Sequence, residues 1–195
     1  MQFPANPFRS LFKDDYSVFL DDDNAVNQFA DHLSKSLPSI YTNDIVFVCI
    51  GTDRSTGDSL GPLVGTLLGE LNVSRFHYYG TLDEPIHALN LSEQLETIKN
   101  KYKNPFIIAV DACLGRVKSI GSVRLSNGPL KPGAAMKKDL PLVGEINLTG
   151  VVNVSGFMEF YVLQNTRLSL VMKMAKFIAR SIKETESKLT SQTAL

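Results

Sequence analysis

The strongest constraint on the fold is a buried-strand pattern that runs directly into a polar loop and then into a helix. It occupies residues 45–65, IVFVCIGTDRSTGDSLGPLVG. Residues 45–50 are all apolar and rich in Val and Ile, which is typical of a strand buried on both faces of a parallel sheet. Because sites in open α/β sheets form beyond the carboxyl ends of such strands, we expect chemistry or anion binding in the loop that follows.

Strand and helix patterns alternate along the rest of the chain. Apolar runs predict strands at 45–50, 76–80, 106–110, 120–125 and 144–152, and helical periodicity predicts helices at 24–36, 60–71, 88–102, 156–163 and 168–182. This alternation predicts a single α/β domain over residues 1–195 with a mostly parallel sheet.

Three segments fall outside this alternation. Residues 1–22 carry scattered aromatics and an acidic run, and we expect an irregular arm there, with a docking segment for a partner as the alternative. Residues 183–195 are polar and are expected to form a fraying tail. Prolines and glycines in residues 130–142 predict a mobile loop.

Charge and cysteine content narrow the classes of partner and compartment. The 195 residues include 20 Lys+Arg and 20 Asp+Glu, so there is no electrostatic reason to expect nucleic acid or an anionic membrane as a partner. No apolar run approaches the roughly 18 residues of a membrane span, and no secretory signal is visible. Cys49 and Cys113 form no disulfide framework. We therefore expect a cytoplasmic protein, and the apolar final helix leaves a homo-oligomer open.

Two aspartates are the main candidates for catalysis. Asp58 lies in the first strand–helix loop, and Asp111 directly follows the apolar run at 106–110. If both strands are central, the two carboxylates converge, and one then takes a raised pKa and serves as an acid while the other serves as a base. Two alternatives remain open. The pair can hold a divalent cation with loop oxygens, or Asp58 can merely cap the following helix.

Other residues that could take part in binding or catalysis are weaker candidates. Gly51, Gly57 and Gly61 lack the spacing of a phosphate-binding loop. Cys113 is a possible nucleophile but is better interpreted as a small buried hydrophobe. His87 precedes a predicted helix and is expected to be a cap or a surface residue.

The run GTDRSTGDSLGPLVG, together with the later VDACLG, closely resembles the sporulation protein YyaC family of endospore-forming bacteria. That family is similar in turn to the spore germination protease and, more distantly, to the nickel-dependent hydrogenase maturation proteases. The resemblance to the YyaC family covers nearly the whole chain, whereas the similarity to the two protease families is concentrated in the first strand–helix loop, the VDA strand end and the region around Asn153. It implies a three-layer α/β/α fold of the phosphorylase/hydrolase-like type.

The resemblance also implies roles for individual residues. The germination protease pattern is matched by Gly51, Asp58, Leu60, Gly61 and Pro62. Asp58 matches its catalytic aspartate, and Asp111 matches its second acidic residue. In the maturation proteases these two positions hold nickel ligands, and the third ligand is a histidine where this chain has Asn153. Because an amide is a poor nickel ligand, we expect no metal and no other cofactor.

These observations predict a sporulation-associated peptidase in which Asp58 and Asp111 activate water, with backbone N–H groups near Gly57 or Gly115 stabilising the oxyanion. The substrates implied by the resemblance are proteins or peptides such as small spore proteins. The predicted substrate-binding residues are Gly51, Thr52, Asp53, Arg54, Ser55, Gly57 and Asn153. A non-catalytic binding protein of the sporulating cell, using the same crevice, and a metal-dependent hydrolase are the alternatives.

Overall fold

A six-stranded mixed sheet organises this computed structural model, which describes residues 15–20, 24–38, 43–133 and 140–191. The strands are β1 (Tyr16–Phe19), β2 (Ile45–Cys49), β3 (His77–Tyr79), β4 (Phe106–Gly115), β5 (Ser122–Asn127) and β6 (Ile146–Val154). Their spatial order is β1-β5-β6-β4-β2-β3. β3, β2, β4 and β6 are parallel to one another. β5 pairs antiparallel with β6, and β1 pairs antiparallel with β5 at the edge of the sheet. The predicted mostly parallel sheet is confirmed.

Helices cover both faces of the sheet. They are α1 (Ala25–Ser36), α2 (Leu60–Glu70), α3 (Leu91–Lys101), α4 (Glu159–Gln164) and α5 (Leu168–Ser191). Successive side chains of a strand point to opposite faces. In β2, Phe47 therefore packs in the core with α1, α2 and α5, while Val46 and Val48 pack with α3. This arrangement confirms the predicted three-layer α/β/α fold.

The start of α2 is held tightly against the end of β2. A Cβ atom at Gly61 would overlap the backbone of Ile50, so only glycine permits this approach. The segment between the two elements, residues 50–59, therefore begins and ends at the same place, and it stays at the carboxyl edge of the sheet.

The end of the predicted irregular arm is ordered as a strand, which corrects that prediction for residues 16–19. β1 pairs with β5 at the edge of the sheet. Tyr16 stacks on His32 of α1 with ring centroids 3.7 Å apart, and it also contacts Phe29. Backbone pairing and ring packing, neither of them visible in local periodicity, stabilise this segment. The rest of the arm, residues 1–14 and 21–22, lies outside the described residues.

The predicted fraying tail is also corrected, because α5 continues to Ser191. Thr185 and Glu186 are buried in this extension. The Glu186 carboxylate accepts the backbone N–H groups of Ser74 at 2.7 Å and of Arg75 at 2.6 Å, so polar contacts bind the helix to the loop after α2. Residues 192–195 lie outside the described part of the chain.

The apolar face of α5 packs against α1 and α2 of the same chain. A homo-oligomer therefore stays a prediction. Among the described residues, no helix combines the length and apolar character needed to cross a membrane.

Candidate active site

A cavity of about 460 Å³ opens where β2 and β4 end. Four segments supply its walls: the loop after β2, the end of β4, the segment just before α3, and α4. Residues 130–133 and Leu140 add a further wall. The two ends of this wall are held together because Leu130 and Val143 exchange backbone hydrogen bonds of 2.8 and 2.9 Å. Residues 134–139, the centre of the loop predicted to be mobile, lie outside the described residues.

Asp111 reaches the cavity because β4 is longer than β2. The pairing between these strands ends at Cys49 and Val110, and the N–H of Ile50 donates to the Val110 carbonyl at 2.7 Å. β4 then continues to Gly115, paired with β6 alone. Asp111 is thus the first residue of β4 beyond the end of β2, at the position where a parallel sheet offers a crevice.

Asp58 enters the same cavity from the other side. It lies in a 3₁₀ turn, Gly57–Ser59, that leads directly into α2. Its carbonyl accepts the N–H of Thr52 at 3.1 Å, which closes the loop. The N-cap position of α2 belongs to Ser59, which makes no side-chain cap hydrogen bond. The Asp58 side chain lines the cavity, so the capping alternative does not describe its position.

The two carboxyl groups influence each other's protonation. Burial, together with the negative charge of Asp58, raises the pKa of Asp111 from 3.8 to about 8, although the N–H of Ala112 opposes this by donating to Asp111 Oδ1 at 2.8 Å. Burial also raises the pKa of Asp58 above its ordinary value of 3.8, and the nearby Ser55 hydroxyl opposes that increase. The charge of Asp58 disfavours ionisation of Asp111, so the pair favours a state that carries one proton, on Asp111.

The cavity brings together most of the residues predicted from the sequence. They are Gly51, Thr52, Arg54, Ser55, Asp58 and Asp111. Asp53 is exposed and does not line the cavity. Gly57 is buried against Leu163 of α4, where a Cβ atom would lie 2.8 Å from Leu163 Cδ2. For Asp53 and Gly57, contact with a substrate stays a prediction.

Asn153 is occupied by structural contacts outside the cavity lining. Its Nδ2 donates to the Val162 carbonyl at 3.3 Å and to Thr166 Oγ1 at 3.2 Å, and its Oδ1 accepts the N–H of Val154 at 2.8 Å. Asn153 therefore ties β6 to α4. Its predicted contact with a substrate also stays a prediction.

The donor set does not fit the three-ligand nickel site of the maturation proteases. The third position of that set is Asn153, which presents an amide and whose side-chain oxygen and nitrogen are already engaged. Within residues 15–20, 24–38, 43–133 and 140–191, no group of three His, Cys, Asp or Glu is placed to hold a metal ion. The residues at these three positions therefore do not form a nickel site.

His87 lines the cavity, although the sequence predicted only a cap or a surface residue at this position. Its Nδ1 accepts the N–H of Leu89 at 3.3 Å, so in the neutral ring the hydrogen is on Nε2, which can donate to a ligand. Its carbonyl accepts the N–H groups of Asn90 and Leu91, as a residue at a helix start does. The segment reaches the site through the bridge between Ile86 and Ile50, a non-local contact without a sequence signal.

Ser55 and Cys113 complete the polar lining. Ser55 is only 6% exposed, and beyond its interaction with the Asp58 carboxyl group its hydroxyl has no hydrogen-bond partner among the described residues. Cys113 is half-buried, and burial raises the pKa of its thiol. A protonated thiol is a poor nucleophile, which favours the interpretation of Cys113 as a small hydrophobe.

A solved structure of another protein has a similar fold. The chain is similar to the [NiFe] hydrogenase maturation protease HycI from Thermococcus kodakarensis KOD1, with a TM-score of 0.50 and 17% sequence identity, over 74% of this chain and 93% of that chain. At this identity the similarity establishes the fold, which is that of a hydrogenase maturation protease.

Sequence comparison places the chain more closely. Residues 17–181 match the family described as "Protein of unknown function (DUF1256)". The chain is also 57% identical over 162 residues to the "Uncharacterized protein YyaC" of Bacillus subtilis (strain 168), covering 83% of this chain and 79% of that protein. The protein belongs to the DUF1256 family, and the predicted resemblance to YyaC is confirmed.

Proposed function

We propose that this protein is a peptidase that hydrolyses peptide bonds with Asp58 and Asp111 as its acid–base pair. One observation carries the proposal: both carboxyl groups line one cavity, and the charge of Asp58 helps to raise the pKa of Asp111 to about 8. When the pair carries one proton, one group is a base and the other an acid, which is the arrangement that hydrolysis by activated water requires.

In the proposed reaction Asp58 is the general base. It takes a proton from a water molecule as the water oxygen bonds to the carbonyl carbon of the peptide. Asp111 is the general acid, and it gives its proton to the leaving amine as the C–N bond breaks. The proton taken up by Asp58 then passes to Asp111, directly or by exchange with solvent, so the pair begins the next cycle with one proton. His87 Nε2 is the candidate donor to the oxyanion, because neutral His87 carries its hydrogen there.

Similarity to known proteins supports the same class of reaction. The solved structure that shares the fold is named a maturation protease. The sequence resemblance to the YyaC family adds the setting of a sporulating cell, with small spore proteins or another sporulation protein as the substrates. Activity and setting both belong to this proposal, since fold alone does not determine function.

The test is a search for new peptide termini. Purified protein is incubated with denatured protein extract from sporulating cells, and new N-termini are labelled and identified by mass spectrometry. We expect cleavage by the wild type that disappears in Asp58→Asn and in Asp111→Asn. Asp83→Asn serves as the matched control, because Asp83 is exposed and does not line the cavity. Cleavage that persists in both site variants would remove the acid–base pair from the mechanism.

A non-catalytic binding protein is the second candidate, and one observation favours it. Apolar side chains are unusually exposed beside the cavity: Phe157 is 89% exposed, and Phe160 and Tyr161 are about half exposed. Such patches commonly mark interaction sites. In this case Asp58→Asn, which nearly preserves shape, would retain the function in sporulating cells.

A further inference from the structure

The end of β4 has an edge without a partner strand. β2 pairs with β4 only as far as Val110, and at Gly51 the chain turns away into the loop that carries Asp58. Residues 111–115 of β4 pair with β6 on one side. On the other side, no strand of the described ranges accompanies them.

The cavity lies along this unpaired edge. It is lined by four successive residues of β4: Asp111, Ala112, Cys113 and Leu114. Successive side chains of a strand point to opposite faces of the sheet. A cavity that contacts all four must therefore run beside the strand, and β6 already occupies the other side.

In a parallel strand, the N–H and C=O groups of successive residues point alternately to the two neighbouring strands. This alternation identifies the backbone groups that face the cavity. The Val110 carbonyl accepts from Ile50 of β2, and the Gly115 carbonyl accepts the N–H of Ser155 after β6 at 2.8 Å. The alternate residues Ala112 and Leu114 consequently face the vacated side, as Val110 does. The N–H of Ala112 donates to Asp111 Oδ1. Among the residues that the structure describes, none pairs with the carbonyl of Ala112 or with either backbone group of Leu114, so these groups are left for an incoming strand.

An independent observation indicates that a polar ligand enters this cavity. The Ser55 hydroxyl is more than nine-tenths buried, lines the cavity and, beyond its interaction with the Asp58 carboxyl group, has no hydrogen-bond partner among the residues that the structure describes. Buried hydroxyl groups are normally hydrogen-bonded, because an unpaired one costs free energy. A ligand atom beside Asp58 would supply the missing partner.

We propose that the substrate is an extended polypeptide segment that binds as an added strand along residues 112–114 of β4; this inference rests on the proposed peptidase function. Pairing along this edge places the backbone of the segment next to Asp111, the neighbouring residue of the same strand. Main-chain hydrogen bonds provide the affinity in this mode of recognition, and pockets select side chains. Leu114, Leu140 and Leu163 line the cavity, so the selected side chain is apolar. The substrate class is an unfolded, apolar stretch of protein.

The first test uses peptides of defined backbone chemistry. Ten-residue peptides are selected from a random display library on the Asp58→Asn protein, which binds without turnover, and each backbone nitrogen of a selected peptide is then methylated in turn. We expect two positions that are two residues apart to lose at least tenfold in affinity, since those N–H groups donate to the carbonyls of Ala112 and Leu114. Methylation at the position between them should cost less than threefold.

A second measurement follows backbone amides of the protein instead of the peptide. Hydrogen exchange by NMR should show that the bound peptide slows exchange of the Leu114 amide at least tenfold. The amide of Ile108, within the paired part of β4, is the control and should not change. Failure to select any binding peptide, a methylation scan without alternation, or unchanged exchange at Leu114 would overturn the inference. If Asp58→Asn loses its circular dichroism spectrum, the same experiments are made with Asp111→Asn.

The methylation scan and a cleavage assay on the same peptides together test strand addition and peptidase activity separately. Alternation in the scan without cleavage of the same peptides by the wild type would retain strand addition and remove the peptidase. Cleavage without alternation would retain the peptidase and remove strand addition.

Discussion

The backbone of Gly51 packs directly against the backbone carbonyl of Asp58. Gly51 has φ +148°, and a Cβ atom there would overlap the Asp58 oxygen and lie 2.9 Å from Pro62 Cδ. This contact closes the loop that carries Asp58 and fixes the position of its carboxyl group relative to β4.

Gly51→Ala is expected to destabilise the protein by about 3 kcal/mol or more, because backbone strain and a collision with main chain add together. Gly156→Ala is a matched control, since Gly156 has φ +149° but nothing within 4 Å of a built Cβ. The control should cost about 1–2 kcal/mol from strain alone. Urea denaturation measures both changes, and equal losses would show that the contact with Asp58 does not constrain the loop.

The stability of the folded protein should depend on the protonation of Asp111. Its pKa in the fold is about 8 and its ordinary value is 3.8, so the folded state binds the proton more tightly than the unfolded state. The associated stability is full below about pH 4 and is lost as the pH rises through about 8.

Asp111→Asn should therefore stabilise the protein at about pH 9 by a few kcal/mol, at about 1.4 kcal/mol per pKa unit. The gain should shrink towards about pH 4. Thermal unfolding of the wild type and the variant across this range measures the difference. A gain that does not vary with pH would contradict a buried, titrating Asp111.

Activity should rise and fall with pH. The acidic limb reports ionisation of Asp58, whose pKa lies above its ordinary 3.8, and the basic limb reports loss of the Asp111 proton near pH 8. Asp58→Asn should lower kcat by about 10²–10⁴ with little change in substrate affinity, because it removes the base but preserves shape. The rate is measured against pH with a cleaved peptide. An unchanged basic limb in Asp111→Asn would assign that limb to another group.

Ser55→Ala should weaken substrate binding with little effect on the fold. Among the described residues the buried Ser55 hydroxyl interacts only with the Asp58 carboxyl group, so its removal should change the free energy of unfolding by no more than about 1 kcal/mol. It should also raise the pKa of Asp58 further, because the hydroxyl opposes that increase, and the acidic limb should move to higher pH.

Ser181→Ala provides the comparison for Ser55→Ala. Ser181 is fully buried and its hydroxyl has no hydrogen-bond partner among the described residues, but it lies on α5 away from the cavity. Its replacement should affect stability in the same way and leave KM unchanged. An identical KM in both variants would indicate that Ser55 does not contact the substrate.

The end of α5 should contribute measurably to stability. Burial raises the pKa of Glu186, but N–H groups of Arg75 and Ser74 and the Lys183 ammonium group together lower it below 4.5. This stability is present above about pH 4.5 and is lost as the pH falls through the lower folded pKa. Glu186→Ala should cost about 2–3 kcal/mol at neutral pH because two backbone N–H groups lose a charged acceptor.

Glu184→Ala, on the same helix but without those amide contacts, should cost less than about 0.5 kcal/mol. Urea denaturation of both variants at neutral pH makes the comparison. Similar small losses would mean that the last turns of α5 add nothing to the fold.

Much of the fold was predictable because its signals are local. Apolar runs followed by glycine or proline mark strand ends, and periods of three and four residues mark helices, so the α/β class and the mostly parallel sheet follow from the sequence. The same patterns placed Asp58 after the first buried strand and Asp111 after the apolar run at 106–110, although β4 in fact continues through Asp111 to Gly115. Helix boundaries were less accurate, since α3 begins at Leu91, three residues after the predicted start.

The sequence by itself determined the layered α/β fold and placed two aspartates directly after apolar segments, because hydrophobic periodicity is a local property of the chain. Tertiary structure decided the rest. Pairing with β6 extends β4 beyond β2 and creates the free edge, a cross-strand bridge brings His87 to the cavity, and contacts with α4 engage Asn153. Each depends on the register of distant segments, which the local pattern of apolar and polar residues does not specify.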